Sequence, residues 1–210
     1  PMVNFKNGTF FGTNIEVAKM LARAVGKEVK FVYCPFARCL NMMKDGKADM
    51  MVAINKTAQR MQYLDYLEQP FSSKITPVRF YQKLKDKVEI NSYNDLYGLT
   101  IGVLRGASYF KHFDNDTKLN KVEITTHQQL IEMLIKGRID AFLGRELSIK
   151  KRVDEKRYYS KMKVAPFIYT KKNDFYIAIS KKSSKKVNVD QLSHILDNLL
   201  ADGSISLLLN

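Results

Sequence analysis

The sequence KDGKADMMV at residues 44–52 has a counterpart in IKGRIDAFL at residues 135–143. In both, a predicted helix ends at a glycine, a basic residue follows, and an aspartate opens an apolar strand three residues after the glycine. A helix that ends at glycine is common, so one such stretch would indicate little. Two in one chain, each after a comparable helix, predict two similar α/β lobes.

Predicted helices and strands alternate around both stretches. In the first half we expect a helix over 12–26 with Thr13 or Asn14 as its cap, a strand at 29–33, a helix at 36–44 and a buried strand at 48–54. In the second half we expect a strand at 99–104, a turn at 105–108 leading into a helix, a helix capped by Thr126, a strand at 139–143 and an amphipathic helix around 192–199. Ligands bind beyond the carboxyl ends of strands in open α/β sheets, so two facing lobes predict a cleft.

The composition is that of a water-soluble globular protein. The chain has 210 residues, of which 45% are apolar and 27% charged. No stretch approaches the roughly 18 apolar residues that a membrane-spanning helix needs. The net charge of +14 favours an anionic partner, although it does not choose among nucleic acids, lipid headgroups and small acids.

Two cysteines, Cys34 and Cys39, are too few for a disulfide framework. A local bridge in an oxidising compartment and a pair of half-buried thiols are both compatible with their spacing, because spacing does not establish the geometry that a disulfide needs. With only three histidines in addition, we expect no metal site, and we expect no cofactor.

Several short motifs resemble family 3 extracytoplasmic solute-binding proteins, the type II periplasmic binding proteins that feed amino-acid ABC transporters. The matching motifs are PFAR at 35–38, DGKAD at 45–49, TAQR at 57–60, QPF at 69–71, VLRGAS at 103–108 and the Asp-Gly pair at 202–203. They follow in the right order over nearly the whole chain. The order is stronger evidence than any one motif.

The resemblance implies an α/β, two-lobed type II periplasmic-binding-protein fold with a central cleft. Lobe 1 would comprise residues 1–76 plus 178–210, and lobe 2 would be the inserted residues 77–177. The crossing strands would lie at 75–81 and 175–179, with hinge residues at their ends. The family begins with a strand and a Pro-Pro-aromatic turn, of which Pro1 and Met2 alone remain here. We therefore expect the first strand of lobe 1 to be missing from the sequence.

Three residues of lobe 1 fall at the positions where the family holds its ligand. Arg60, in its Thr-x-x-Arg context, resembles the arginine that binds the ligand carboxylate, for which a planar guanidinium is well matched. Without the resemblance, a solvated surface arginine would be the simpler reading. Ala53 and Asn55, at the end of a predicted strand, lie where family members present backbone and hydroxyl groups, although the loop before Arg60 is one residue shorter.

Four further residues are assigned to the ligand with alternatives open. Ala107 and Ser108 would offer helix-start N–H groups and a hydroxyl to the carboxylate, unless Ser108 is only a helix cap. Arg105 would add positive charge at the rim of the cleft. Arg38 resembles the arginine of a Pro-Trp-x-Arg subgroup, with Phe36 in place of the Trp, and an interlobe or surface ion pair would explain it equally well.

Arg145 departs from the amino-acid-binding pattern. In that pattern an aspartate five residues after Asp140 holds the ligand's α-ammonium group, and here the position is Arg145, followed by Glu146. An arginine would repel an ammonium and attract a second anion. We therefore expect a dicarboxylate, a keto or hydroxy acid, or another anion rather than an ordinary zwitterionic amino acid.

Together these observations predict extracytoplasmic, periplasmic binding of a small anionic or carboxylate-bearing solute by a monomer. Closure of the lobes on the solute would present it to an ABC transporter, without catalysis and without nucleic acid. One alternative is the ligand-sensing domain of a membrane-bound signalling receptor. A second and weaker alternative is a lyase-like enzyme on the same scaffold, with Glu146 as its acid or base.

Overall fold

The computed structural model describes residues 3–86, 89–150, 160–185 and 187–209 of the chain. The chain divides into two compact units. Unit 1 comprises Pro1–Cys34, Arg38–Lys74 and Asn173–Asn210, and unit 2 comprises Pro35–Ala37 and Ile75–Lys172. The main crossings therefore fall at 74/75 and 172/173, where the sequence analysis predicted boundaries at 76/77 and 177/178.

The elements follow one another as a mixture of helices and strands in both units. In chain order they are β1 (Asn4–Lys6), β2 (Thr9–Phe11), α1 (Thr13–Ala24), α2 (Phe36–Lys44), β3 (Met50–Ile54), α3 (Ala58–Met61), β4 (Leu64–Tyr66), β5 (Ser72–Ile75), β6 (Val78–Lys83), a 3₁₀ turn (Tyr93–Leu96), β7 (Thr100–Leu104), α4 (Lys111–Asn115), β8 (Asn120–Ile124), α5 (His127–Ile135), β9 (Ala141–Arg145), α6 (Glu146–Lys150), β10 (Met162–Tyr169), β11 (Lys172–Ser180), α7 (Val189–Ala201) and α8 (Ser204–Leu209).

Unit 1 is organised around β11. This strand pairs in antiparallel fashion with β3 on one side and β4 on the other, and β5 also pairs with it. Helices α1, α7 and α8 supply the apolar side chains that cover the sheet. The fully buried members of this core include Val17, Leu21, Leu67, Ile177, Leu196 and Ile205. Because Val17 and Leu21 are four residues apart, they lie on one face of α1.

Unit 2 contains a five-stranded sheet of order β10-β6-β9-β7-β8. Strand β7 runs parallel to β8 and β9, whereas β6 is antiparallel to both β9 and β10. Successive side chains of a strand point to opposite faces, and Phe80 and Tyr81 accordingly belong to two different core clusters. The sheet is therefore covered on both faces, as the apolar runs of its strands predict.

The two stretches that opened the sequence analysis have the same backbone geometry. Gly46 has φ 73° and Gly137 has φ 67°, which is the left-handed region that glycine adopts without steric strain. The N–H after each glycine donates to the carbonyl five residues earlier, at 2.8 Å in one stretch and 2.9 Å in the other. Both helices thus end in the same glycine motif before a strand. The prediction of repeated helix–glycine–strand units is confirmed at this level.

The predicted strand at 29–33 is wrong. Residues 27–35 have no strand or helix in the structure, and Val32 and Tyr33 are 54% and 73% exposed. Alternating apolar residues favour an extended backbone, but a strand also needs a neighbour to accept its hydrogen bonds. Among the described residues, no strand pairs with this segment.

The start of α1 also differs from the prediction. Its N-cap is Gly12, at φ 121°, and no side chain caps the helix. Thr13 instead donates its hydroxyl to the carbonyl of Leu208, at 3.1 Å. The sequence analysis also missed the β1–β2 hairpin before this helix, because three-residue strands are too short for a periodic pattern.

The predicted first crossing strand at 75–81 is interrupted. β5 ends at Ile75 and β6 begins at Val78, with Thr76 and Pro77 between them. Proline has no backbone N–H and interrupts a strand ladder, which explains the break. The second crossing strand is the continuous β11, which begins three residues earlier than predicted.

Cys34 and Cys39 form a disulfide, with their Cα atoms 5.6 Å apart. Of the two alternatives that the spacing left open, the local bridge is therefore the correct one. The bridge closes a short loop at the start of α2, where the PFAR motif lies. Among the described helices, none combines the length and the apolar character that crossing a bilayer requires.

Candidate functional site

Ala53 lies at a β-bulge near the end of β3. Tyr176 pairs with Ile54 and Ile177 pairs with Val52, so Ala53 is an extra residue without a partner position on β11. Its φ is 66°, in the left-handed region, which costs a residue with a side chain about 1–2 kcal/mol. Such strain is concentrated at functional sites because the surrounding structure has to enforce it. The bulge redirects the chain that follows.

Replacing Ala53 by glycine tests this strain. We expect Ala53→Gly to raise the free energy of unfolding by about 0.5 kcal/mol, because relief of the left-handed conformation outweighs the greater entropy of glycine in the unfolded chain. Ala178→Gly, on the neighbouring β11 without positive φ, should instead lower it by about 1 kcal/mol or more. Urea unfolding measures both, and a loss of stability in Ala53→Gly would contradict the interpretation.

Asn55 joins three parts of unit 1. Its side-chain amide donates to the carbonyl of Asp174, at 2.9 Å. Its own carbonyl accepts from Arg60 Nη1 at 2.9 Å and from the Tyr66 hydroxyl at 3.2 Å. The loop that leaves the bulge is thus held to β11, to α3 and to β4. The predicted residues Ala53, Asn55 and Arg60 are brought together in one place.

Arg60 is buried, with only 5% of its surface exposed. The Thr57 hydroxyl accepts its backbone N–H at 3.2 Å and caps α3, so the Thr-x-x-Arg spacing fixes where the side chain starts. Its guanidinium is then held at the Asn55 carbonyl. Burial of a charge is unfavourable unless polar groups satisfy it, and this arginine is therefore a positioned group. The solvated-surface reading is wrong.

A lysine and two tyrosines beside these residues were missed by the sequence analysis. Lys56 Nζ lies 4.1 Å from the ring centre of Tyr176 and 5.6 Å from that of Tyr66. The two rings meet edge to face, 6.0 Å apart. Burial raises the pKa of Tyr66 to about 12 against the opposing effect of Arg60, so its hydroxyl stays protonated and donates to Asn55. The sequence signal that could have identified this lysine is its position directly after Asn55.

In unit 2, Ala107 and Ser108 precede the helix instead of starting it. Helix α4 begins at Lys111, so the predicted helix-start donors are misplaced. The N–H of Ala107 donates to the Leu104 carbonyl at 2.9 Å, and the Ser108 hydroxyl donates to Asp114 at 2.8 Å. The Asp114 carboxylate holds the turn in a non-helical conformation. Whether Ala107 or Ser108 contacts a ligand remains a prediction.

Arg145 is the last residue of β9, opposite Val78 of β6. Its Nη2 donates to the carbonyl of Ser108 at 3.3 Å, so two residues that the sequence analysis assigned to the ligand meet in unit 2. Burial raises the pKa of Tyr109 to about 12, and the nearby Arg145 charge partly opposes the shift. The positive charge of Arg145 therefore acts on a partly buried tyrosine.

The other charged residues nominated from the sequence are exposed or ion-paired. Arg105 is exposed and pairs with Glu123 at 3.3 Å. Arg38 is exposed on α2. Glu146, the nominated acid or base of the enzyme alternative, pairs with Arg79 at 3.1 Å.

Two surface cavities of unit 2 are lined by other residues than these. One, of 720 Å³, is lined by Tyr97, Lys111, His112, Asn115, Asp116, Thr117, Lys118 and Tyr169. The other, of 380 Å³, is lined by Glu123, Ile124, Thr125, Gln129, Glu132, Met133, Lys136 and Arg138. In the described part of the chain, no three His, Cys, Asp or Glu side chains are grouped so as to hold a metal ion.

The fold is that of type II periplasmic binding proteins. A mutant of ArgBP from T. maritima superimposes with a TM-score of 0.78 at 19% identity, over 99% of this chain and 88% of that one. The amino acid ABC transporter substrate-binding protein AbpA from Streptococcus pneumoniae, bound to L-arginine, gives 0.74 at 22% identity, over 98% and 86%. The predicted fold class is confirmed.

Sequence comparison supports the family. Residues 1–88 match the family model of bacterial extracellular solute-binding proteins, family 3. The probable amino-acid-binding protein YxeM of Bacillus subtilis is 23% identical over 217 aligned positions, which cover 98% of this chain and 76% of YxeM. The predicted resemblance to family 3 solute-binding proteins is confirmed over residues 1–88. These relatives are binding proteins, which agrees with the prediction that the chain is not an enzyme.

Proposed function

We propose that this chain binds a small carboxylate-bearing solute outside the cytoplasm and delivers it to an ABC transporter. The observation that carries the proposal is the buried Arg60 guanidinium, held by the carbonyl of Asn55. A fixed arginine suits a carboxylate because its planar N–H donors match the two oxygens. The relatives named for amino-acid binding and for ABC transport support the transport role.

In unit 1 we assign the carboxylate to Arg60, with the neighbouring backbone of Ala53 and Asn55 completing its surroundings. The bulge at Ala53 precedes the loop that carries Asn55, and the Asn55 carbonyl limits the orientations that the guanidinium can adopt. Preorganisation of this kind reduces the entropy lost on binding. The side chain would therefore contribute more to affinity than a mobile surface arginine.

In unit 2 we assign Ser108 and Arg145 to the solute, with Arg145 selecting for negative charge. Its guanidinium is positioned by the Ser108 carbonyl. A positive group here disfavours the α-ammonium of a zwitterionic amino acid and favours a second anionic group or a neutral one. This expectation differs from the L-arginine bound by AbpA, so the charge of the preferred solute is the property to measure.

Native mass spectrometry of freshly purified protein tests the proposal, because a tightly bound solute survives transfer and shows as a mass increment. Calorimetry with a panel of the common L-amino acids, their keto analogues and short dicarboxylates then ranks affinities. We expect micromolar or tighter binding of at least one carboxylate. Retention of no solute, together with no heat from any member of the panel, would overturn the proposal.

A further inference from the structure

We propose that Lys56 determines specificity by binding a second anionic group of the solute. The inference rests on the proposed function, because it places Lys56 beside the carboxylate position at Arg60. It adds a residue that the family resemblance does not assign. The class of solute it implies is a compound with two anionic groups, such as a dicarboxylic acid.

Lys56 directly follows Asn55, whose carbonyl accepts a hydrogen bond from Arg60. The hydroxyl of Tyr66 donates to that same carbonyl, and the Tyr66 ring lies near the ammonium group of Lys56. These hydrogen bonds therefore fix the position of both the Arg60 guanidinium and the backbone from which the Lys56 side chain starts. The two positive charges are four residues apart, with Lys56 in the segment between β3 and α3 and Arg60 in α3 itself.

The ammonium group of Lys56 is supported by an aromatic ring. Lys56 is exposed, yet its Nζ lies 4.1 Å from the ring centre of Tyr176. A cation over an aromatic ring is attracted by the ring's negative face without being neutralised. The lysine is therefore localised while its charge remains available to an anion.

Among the described residues, Lys56 has no carboxylate within ion-pair distance. The acid that faces Tyr176 is Asp174, which contributes to the raised pKa of that tyrosine after burial. One oxygen of its carboxylate accepts the hydroxyl of Ser73. A localised ammonium of this kind is suited to a second anionic group on a bound molecule.

Glutarate and its monoamide, glutaramate, provide the test, because they differ by one carboxylate in place of a neutral amide and neither carries the α-ammonium that Arg145 disfavours. We expect wild-type protein to bind glutarate at least tenfold more tightly than glutaramate in calorimetry at low salt. Lys56→Gln should remove at least tenfold of that preference and leave glutaramate affinity within threefold. Lys44→Gln, an exposed lysine at the end of α2, changes the net charge equally and should leave the preference intact.

The outcomes separate this inference from the proposed function. Equal wild-type affinities for the two probes, or an unchanged preference in Lys56→Gln, would overturn the role of Lys56 while solute binding stands. An equal loss of preference in Lys44→Gln would also overturn it, because the effect would then be one of net charge. Binding of neither probe would overturn the dicarboxylate class, and the wider panel would still decide whether the chain binds a solute.

Discussion

Arg60→Lys should weaken binding of the carboxylate-bearing solute by about 100-fold or more, which corresponds to about 2.7 kcal/mol. The substitution keeps the positive charge, so the loss measures the geometry of the guanidinium and not its charge alone. Truncating one partner of a buried, hydrogen-bonded charge pair in an interface costs about 2–5 kcal/mol, and the expected loss lies within that range. Calorimetry with the solute identified by native mass spectrometry measures the ratio of dissociation constants.

Tyr66→Phe is the matched control for Arg60→Lys. It removes one donor to the Asn55 carbonyl and leaves the guanidinium in place. If Arg60 contacts the carboxylate, Tyr66→Phe should change affinity by only a few-fold. Comparable losses in both variants would mean that Arg60 acts through the loop, and the assignment would fail. Circular dichroism spectra that match the wild type are required of both variants.

The local backbone around Arg60 could be predicted from the sequence, whereas its burial and its ligand role were indicated only by the resemblance, because the residues alone favour a solvated surface arginine. The Thr-x-x-Arg spacing places the cap and the guanidinium on one short helix, and four residues of chain suffice to define that geometry. The glycine motifs at Gly46 and Gly137 were predictable for the same reason, since each depends on one helix end. Hydrogen bonds between residues that are close in the chain can therefore be predicted from short sequence motifs.

The aromatic support of Lys56 could not be found in this way. Tyr176 is 120 positions away in the chain and reaches Lys56 only through the pairing of β11 with β3. The register of that pairing shifts at Ala53, and a one-residue shift decides which side chains share a face. The predicted strand at 29–33 failed for a related reason, because its alternation could not reveal the absence of a hydrogen-bonding neighbour in the described sheets.

Unit 2 shows how one side chain can override a plausible helix start. The turn at 105–108 resembles the anion-binding turn of the family, and the sequence predicted a helix immediately after it. Asp114 accepts both the Ser108 hydroxyl and the Tyr109 N–H, and α4 begins only at Lys111. An aspartate that competes for backbone donors favours a loop over a helix. This competition depends on Asp114, which lies outside the motif at 105–108, so the motif alone does not reveal it.

Gly46→Ala should be the most destabilising of the single substitutions considered for the scaffold, and Gly137→Ala provides its internal comparison. Both glycines end a helix with positive φ in the repeated stretches. An added methyl at either position therefore costs about 1–2 kcal/mol through the left-handed backbone alone. The loss in free energy of unfolding that the two variants share measures this conformational cost.

The two sites differ in the space around the glycine. A Cβ at Gly46 would overlap the backbone carbonyl oxygen of Lys182 and approach the Lys182 Cβ to 2.9 Å, whereas at Gly137 it would meet only the flexible end of Lys83 at 3.5 Å. Overpacking against backbone adds about 1–3 kcal/mol, so Gly46→Ala should lose about 3 kcal/mol and Gly137→Ala about 1. Urea unfolding gives the totals, and hydrogen exchange should localise the larger loss to α2 and the end of β11. Equal losses would mean that the 180–185 loop yields to the methyl, and that its contact with the helix end is not a fixed part of unit 1.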